Sequence, residues 1–232
     1  MTELGIAVLD CPRCDDGAGA AMLVRNDTTD IVSVSTKSDF VICGFFTPDY
    51  RPLASVLADS LASLHPFHLF AVPKDGLQRR DILHMKPQII LRAMELYPQA
   101  AVVFLDIDCT VRGPIDEIAN FPGDVSAYVK LRKVLQMFPF LKRTTIAISS
   151  RSMVFKPNER VRRFLRDWHS SMTEGPYVSA VDETALTNVL LTSHYVSFSP
   201  MDRRFSGREI DKATDMDVVV HESASRKKRQ AA

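Results

Sequence analysis

Three short, nearly unbroken apolar runs constrain this chain more than any other feature: residues 40–46 (Phe-Val-Ile-Cys-Gly-Phe-Phe), 68–72 (His-Leu-Phe-Ala-Val) and 101–105 (Ala-Val-Val-Phe-Leu). Successive side chains of a strand point to opposite faces, so a half-exposed strand alternates apolar with polar residues, whereas a run apolar throughout needs cover on both faces. The segments between the runs supply that cover. Pro52 is placed to open a helix carrying Leu53, Val56, Leu57, Leu61 and Leu64 at helical spacing, stopped by His65-Pro66. Pro87 is placed to open a second, with Ile90, Leu91, Met94 and Leu96 as its apolar stripe, closed by Pro98. Strands alternating with helices of this length imply right-handed crossovers. The expected fold class is α/β, a Rossmann-like three-layer sandwich with a mainly parallel central sheet.

Downstream, residues 125–129 and 145–155 read as further strands, the second interrupted by the polar stretch Ser149-Ser150-Arg151-Ser152. Residues 158–172 read as a helix with Val161, Phe164, Leu165 and Trp168 on one face, which assigns Trp168 to the core. A last helix over 181–191 leads into short strands at 195–198 and 217–220. A length of 232 residues suits one substantial domain, expected at 39–228. Residues 1–38, whose apolar patches at 6–9 and 20–24 are broken by Asp, Gly and Thr, read as an N-terminal extension or added hairpin, and 229–232 as the end of a basic tail.

Composition excludes some classes. A net charge of +1 gives no global pull toward nucleic acid or membrane. No apolar run approaches the roughly 20 residues that span a bilayer, and the first ten residues lack a basic region followed by an apolar core. A cytoplasmic location is therefore expected, with no transmembrane segment and no nucleic-acid partner. The basic residues 226–229 leave peripheral contact with an acidic membrane surface open. Cys11 and Cys14 form a lone Cys-x-x-Cys pair without the second pair or the histidines of a zinc site, and read as incidental thiols.

The run at 101–105 delivers two carboxylates one residue apart, Asp106 and Asp108. In an extended chain, residues i and i+2 share a side, so both carboxylates can converge on one cation while Ile107 packs away. Carboxylates so close repel unless something positive lies between them, and a hard divalent ion, Mg²⁺ or Mn²⁺ carrying a diphosphate, suits oxygen ligands. Sites in parallel sheets lie at the carboxyl ends of strands, which places residues 47–50 and 106–108 at one crevice. The plain alternative is a strand end with two solvated aspartates.

The order of motifs over 39–228 resembles the nucleotide-sugar glycosyltransferases of the GT-A fold. Those enzymes commonly show a Lys-Pro helix start, an apolar strand ending in Asp-x-Asp, a later helix with Asp-Gln or Asp-Glu, and a C-terminal histidine near basic residues. Here these look like Lys86-Pro87, Leu105-Asp106-Ile107-Asp108, Asp182-Glu183-Thr184-Ala185-Leu186, and His221 with Lys227. The retaining, glycogenin-like group is the most similar, with a terminal His-x-x-Gly-x-x-Lys-Pro-Trp. The histidine-to-lysine spacing is matched by His221 and Lys227, but Ala224 stands in place of Gly and Pro-Trp is absent.

The resemblance implies a GT-A type fold and a metal-dependent transfer from a nucleoside-diphosphate sugar, in the first place a UDP-sugar, to a glycan, lipid-linked or small acceptor. It gives Asp106, Asp108 and His221 the metal, with Asp106 also reaching the ribose. Mixed carboxylate and imidazole ligands favour Mn²⁺ over Mg²⁺. Lys227, flanked by Arg226 and Lys228, would close over the diphosphate, and Lys86 would approach it from the helix start. Tyr50 is suited to stack on the base, with the backbone of Phe46 and Thr47 at its edge. Asp182 is the candidate catalytic group near the transferred sugar, expected to be exposed at a helix start. It would be the base of an inverting reaction or would orient sugar hydroxyls in a retaining one. Arg151 falls where related enzymes often have Asn-x-Gly or Thr-Gly, and would contact a donor or acceptor, including an acidic one.

Each of these residues also has a structural reading: Tyr50 as a surface aromatic, Asp182 as an N-cap, His221 as an exposed strand end, and 226–229 as a solvated tail. Residues 106–111 also look like the first motif of haloacid-dehalogenase-like phosphatases, in which Asp106 would be the nucleophile and Asp108 the acid/base. That fold usually begins with this strand, whereas here two strand-and-helix units precede it. A nucleotide-binding module without catalysis is the third reading.

Overall fold

The computed structural model describes residues 29–34, 38–74, 76–135, 142–178 and 180–222, with side chains left out over 132–144. The patches at 6–9 and 20–24, Cys11, Cys14 and residues 226–229, Lys227 among them, lie outside the described residues. In chain order the first elements are β1 (Ile31–Ser33), β2 (Phe40–Phe46), α1 (Arg51–Leu61), β3 (Phe67–Ala71), α2 (Arg79–His84), α3 (Lys86–Leu96) and β4 (Ala101–Leu105). They are followed by β5 (Cys109–Val111), β6 (Val125–Leu135), β7 (Lys142–Phe155), α4 (Glu159–Thr173) and α5 (Asp182–Thr192). Short strands β8 (Phe198–Pro200), β9 (Arg208–Glu209) and β10 (Val219–His221) complete the described chain.

A seven-stranded sheet runs in the order β1-β3-β2-β4-β7-β6-β8. The three apolar runs are its parallel centre, β3-β2-β4, and they need cover on both faces for the reason their composition gives. Along β2, Val41 and Cys43 enter one core while Phe40 and Ile42 enter the other, and Phe104 and Val103 of β4 divide in the same way. The first core is closed by α3, α4 and α5, the second by α1 and a small three-stranded sheet, β5-β10-β9. Three layers result.

The rest of the sheet is mixed rather than parallel. β7 runs antiparallel to both β4 and β6, β1 pairs antiparallel with β3, and β8 lies parallel to β6. Consecutive strands such as β6 and β7 pair without a helical crossover, and that reverses the direction. Residues 29–34 are tied to the sheet edge by Asp30, whose carboxylate lies 2.8 Å from His68 Nε2 and accepts the Ala71 amide at 2.8 Å.

Several elements depart in detail from their expected form. The buried face of α1 is Ala54, Leu57, Ala58 and Leu61, while Val56 and Leu64 are exposed. Helical period 3.6 puts the two alanines, not those two larger residues, beside Leu57 and Leu61. α4 begins as read, its Asn158 cap accepting the Val161 amide at 3.0 Å, and Trp168 is fully buried. The polar stretch in β7 does not end the strand. Ala127 pairs with Met153 and Val129 with Ile148, so four residues, 149–152, stand opposite Tyr128 alone, while Ser152 still pairs with Leu105 of β4. This is a bulge, and it turns Ser150 and Arg151 away from regular pairing. Among the described residues, no helix is long and apolar enough to cross a membrane.

Gly44 fixes how closely β4 approaches β2 where the site begins. A Cβ at Gly44 would lie 2.8 Å from the carbonyl oxygen of Leu105, a backbone atom that cannot swing aside. Gly44→Ala is expected to destabilise the fold by about 1–3 kcal/mol, as overpacking does, measured by urea denaturation against the wild type.

Candidate functional site

Asp106 and Asp108 leave β4 in a tight turn, in which the Cys109 amide returns to the Asp106 carbonyl at 3.0 Å. β5 follows at once and pairs antiparallel with β10, which sets His221 opposite Cys109. That register carries the imidazole to the aspartates across more than a hundred residues of sequence. His221 Nε2 lies 2.8 Å from Asp108 Oδ1, and the Glu222 amide donates to the Asp108 carbonyl at 2.8 Å. One ligand atom from each of Asp106, Asp108 and His221 falls within 4.8 Å of the others.

Behind this set, Lys86 is buried at the first turn of α3. Its ammonium lies 2.9 Å from Asp106 Oδ1, 2.7 Å from Asp182 Oδ2 and 3.2 Å from the Ser150 carbonyl. Its three N–H donors thus have three partners. Ser150 Oγ donates to Asp182 Oδ2 at 2.8 Å, closing the network. Burial pulls the Lys86 ammonium down, but the two carboxylates outweigh it and hold its pKa above the ordinary value. Burial pushes Asp106 up, Lys86 opposes it, and Asp108 and Asp182 reinforce it, so Asp106 ends above its ordinary value. Asp182 is also penalised by burial, yet Lys86 and the Ser150 hydroxyl hold it below the ordinary 3.8.

Asp182 departs from its expected setting. It is 7% exposed, and the N-cap of α5 is Val181, because the buried Lys86 draws the carboxylate inward. Lys86 is correspondingly committed to protein partners.

A cleft of about 570 Å³ opens from this cluster between the ends of β2 and β4 and helix α2. Phe46, Thr47, Tyr50, Lys86, Asp106, Asp108 and His221 all line it, so seven of the sequence-derived site residues share one wall. The segment after β2 is locally fixed: Thr47 Oγ1 donates to Asp49 at 2.6 Å, and Asp49 pairs with Lys74 at 2.8 Å. The carbonyls of Phe46 and Thr47 already accept the amides of Val72 and Tyr50, both at 2.8 Å. Arg151 does not line this cleft. Its carbonyl accepts the Asp106 amide at 2.8 Å, but its side chain turns to the Gly207 carbonyl and Glu209, on a second cleft. Lys227 lies outside the described residues.

The donor set fits a divalent cation. Two carboxylates and an imidazole converge, and the wider cluster sets three carboxylates, Asp106, Asp108 and Asp182, against one ammonium. That balance leaves two negative charges for a cation to neutralise. Sequence reasoning missed Ser150 as the bridge between Lys86 and Asp182. It also missed the 2.6 Å pair of Lys130 with Glu183 beside it. A polar break inside an apolar strand was the visible signal for Ser150.

The architecture recurs among solved glycosyltransferases. A glycosyltransferase involved in the glycosylation of the major capsid of PBCV-1 superposes with a TM-score of 0.62 at 13% identity, over 83% of this chain and 97% of that one. The bifunctional glycosyltransferase WbbM, in its apo form, superposes with a TM-score of 0.50 at 11% identity, over 82% of this chain and 46% of its own. This chain therefore spans less than half the length of WbbM. No family model and no curated protein sequence matches it. The fold is of the GT-A type, an α/β sandwich on a seven-stranded mixed sheet.

Two outcomes are expected from this electrostatic arrangement. Lys86→Met leaves the buried Asp182 and the half-buried Asp106 without their cation and should cost about 3–5 kcal/mol of folding free energy in urea melts. Because Asp182 titrates lower in the folded chain than in the unfolded one, its stabilisation is complete above 3.8 and lost as pH falls through the folded value. The stability advantage of wild type over Asp182→Asn should therefore hold down to about pH 5 and shrink as pH falls below 3.8, followed by urea melts through that range.

Proposed function

We propose that the protein is a metal-dependent glycosyltransferase that moves a sugar from a nucleoside-diphosphate sugar, with a UDP-sugar as the first donor to test, to a glycan, lipid-linked or small acceptor. The observation that carries this reading is the convergence of Asp106, Asp108 and His221 on the wall of a cleft of nucleotide size, in a fold shared with solved glycosyltransferases. The domain would comprise residues 39–228, with β1 as an addition from the preceding segment.

Asp106, Asp108 and His221 would hold Mn²⁺ in preference to Mg²⁺, since one donor is an imidazole. Such an ion supplies Lewis-acid neutralisation of the charge that develops on a leaving diphosphate. The chain's own residues divide the remaining tasks. Tyr50, on the cleft wall with Phe46 and Thr47, would offer an aromatic face to the base. Lys86 is a positioning residue: it holds Asp106 at the metal set and Asp182 at the start of α5. Asp182, kept ionised and fixed by Lys86 and Ser150, is assigned to the transferred sugar. Lys227 and its basic neighbours are assigned to the diphosphate by the resemblance of their spacing. Arg151 belongs to the acceptor side.

The phosphatase reading is less well supported. It needs Asp108 free to donate and accept a proton at the reacting phosphate, whereas Asp108 is bonded to His221, and β4 is flanked on one side by antiparallel β7.

UDP with Mn²⁺ at a hundred times its dissociation constant should stabilise the protein by about 2.7 kcal/mol, read as a rise in thermal midpoint that Mn²⁺ or UDP alone does not give. Asp108→Ala is expected to abolish both this protection and sugar transfer while the chain still folds. Normal turnover of a UDP-sugar by that variant would sink the proposal, and metal-dependent hydrolysis of p-nitrophenyl phosphate would favour the phosphatase instead.

A further inference from the structure

The second cleft, about 460 Å³, has a wall built from β6, the β7 bulge and the segment 203–212. Lys130, Arg151, Arg203, Arg208 and Lys212 line it against one carboxylate, Glu209. Local structure holds these cations in place. Asp202 caps a short helical turn, Arg203–Phe205, by accepting the Arg204 amide at 2.9 Å. Gly207 then takes a φ of +62°, a left-handed conformation that glycine adopts readily, and its carbonyl accepts from Arg151 at 3.2 Å. Glu209 pairs with Lys212 at 2.6 Å and with Arg151 at 3.5 Å, and Arg208 lies 3.5 Å from Asp217. Among the described residues, the Arg203 guanidinium makes no hydrogen bond, its charge reaching Asp217 from beyond ion-pair distance, and the Tyr128 hydroxyl, which lines the same wall, makes none either.

The position of this cleft matters as much as its charge. Arg151 accepts the Asp106 amide through its carbonyl, and Lys130 is bonded to Glu183, the neighbour of Asp182. The first cleft touches the same cluster through Lys86 and Asp106. Both clefts therefore adjoin the carboxylate cluster, the first directly and the second through Arg151 and Lys130, and transfer needs its two substrates held side by side.

We infer that the second cleft is the acceptor site and that it selects an acceptor carrying an anionic group, a phosphate or a carboxylate, on the sugar to be extended. The inference rests on the transferase reading above. A guanidinium offers parallel N–H donors that match such an anion, with the Tyr128 hydroxyl on the same wall, whereas a neutral acceptor would leave the Arg203 guanidinium without a bonded anion. In the step itself, the acceptor hydroxyl oxygen bonds to the anomeric carbon, and the bond from that carbon to the diphosphate oxygen breaks. The diphosphate keeps the electron pair and takes up the hydroxyl proton.

The test uses the whole protein and four probes in calorimetric titrations: glucose 6-phosphate, glucuronate, glucose and inorganic phosphate. One of the two anionic sugars should bind at least about tenfold more tightly than glucose and than inorganic phosphate, and raised salt should weaken it. Which of the two does so distinguishes a phosphate from a carboxylate. Arg203→Gln and Tyr128→Phe should each remove most of that preference while leaving the thermal protection by UDP and Mn²⁺ unchanged. Equal binding of glucose and both anionic sugars, or inorganic phosphate binding as tightly as the better sugar, would overturn the inference. So would loss of UDP protection in Arg203→Gln, which would give these cations to the donor. Absence of UDP protection in the wild type, with the Arg203-dependent sugar preference intact, would instead overturn the transferase reading and leave an anionic-sugar site.

Discussion

A single ammonium group organises the centre of this molecule. Lys86, on the first turn of α3, reaches the exit of β4 through Asp106, the bulge of β7 through Ser150 and the start of α5 through Asp182. Burying a lysine is costly, and burying a carboxylate likewise, so neither is placed here without the other. Three elements remote in sequence are thereby held in one register with the helix that follows α2. The face of the Phe104 ring, 5.2 Å from the ammonium, adds an apolar floor that strengthens the charge interactions above it.

The bulge in β7 is the structural counterpart of that lysine. A regular strand at 149–152 would alternate its side chains between the two cores and present no carbonyl to a lysine in the sheet interior. With four residues facing Tyr128 alone, Ser150 turns its carbonyl and hydroxyl inward to the Lys86 network. Arg151 sends its backbone to Asp106 and its side chain to Gly207. One irregularity thus serves both clefts, which explains why a polar segment sits in the middle of an otherwise apolar strand.

How much of this was legible in the sequence depends on how local each cause is. Residues 40–46 and 101–105 declare themselves because an unbroken apolar run has few other destinations, and Asp106 and Asp108 are marked by following one. On α1 a pattern count sets Leu53, Val56 and Leu64 beside Leu57 and Leu61 because large side chains dominate it, whereas packing joins Ala54 and Ala58 to those two leucines. Asp182 looked like an exposed helix start, since nothing nearby in sequence hints at a buried ammonium from residue 86. His221 could be proposed from its spacing to Lys227, but its approach to Asp108 depends on the β5–β10 pairing, a contact between segments too short to carry a pattern of their own. Ser150 was visible only as a break. Its role needs the register of β6 against β7, which no single segment encodes.

The opposed shifts of Asp106 and Asp182 then indicate where positive charge is still wanted. Both carboxylates are bonded to Lys86, and burial penalises both, yet Asp182 is drawn below its ordinary value and Asp106 is pushed above its own. The difference lies in their other neighbours: Asp182 gains a hydroxyl donor from Ser150, whereas Asp106 faces the like charge of Asp108. Lys86 therefore completes the electrostatics on the α5 side of the cluster and leaves them unfinished on the β4 side. That is the side on which Asp108 and His221 stand, within ligand reach of Asp106. A cation bound there would not compete with Lys86; it would supply the charge that one ammonium shared between two carboxylates cannot.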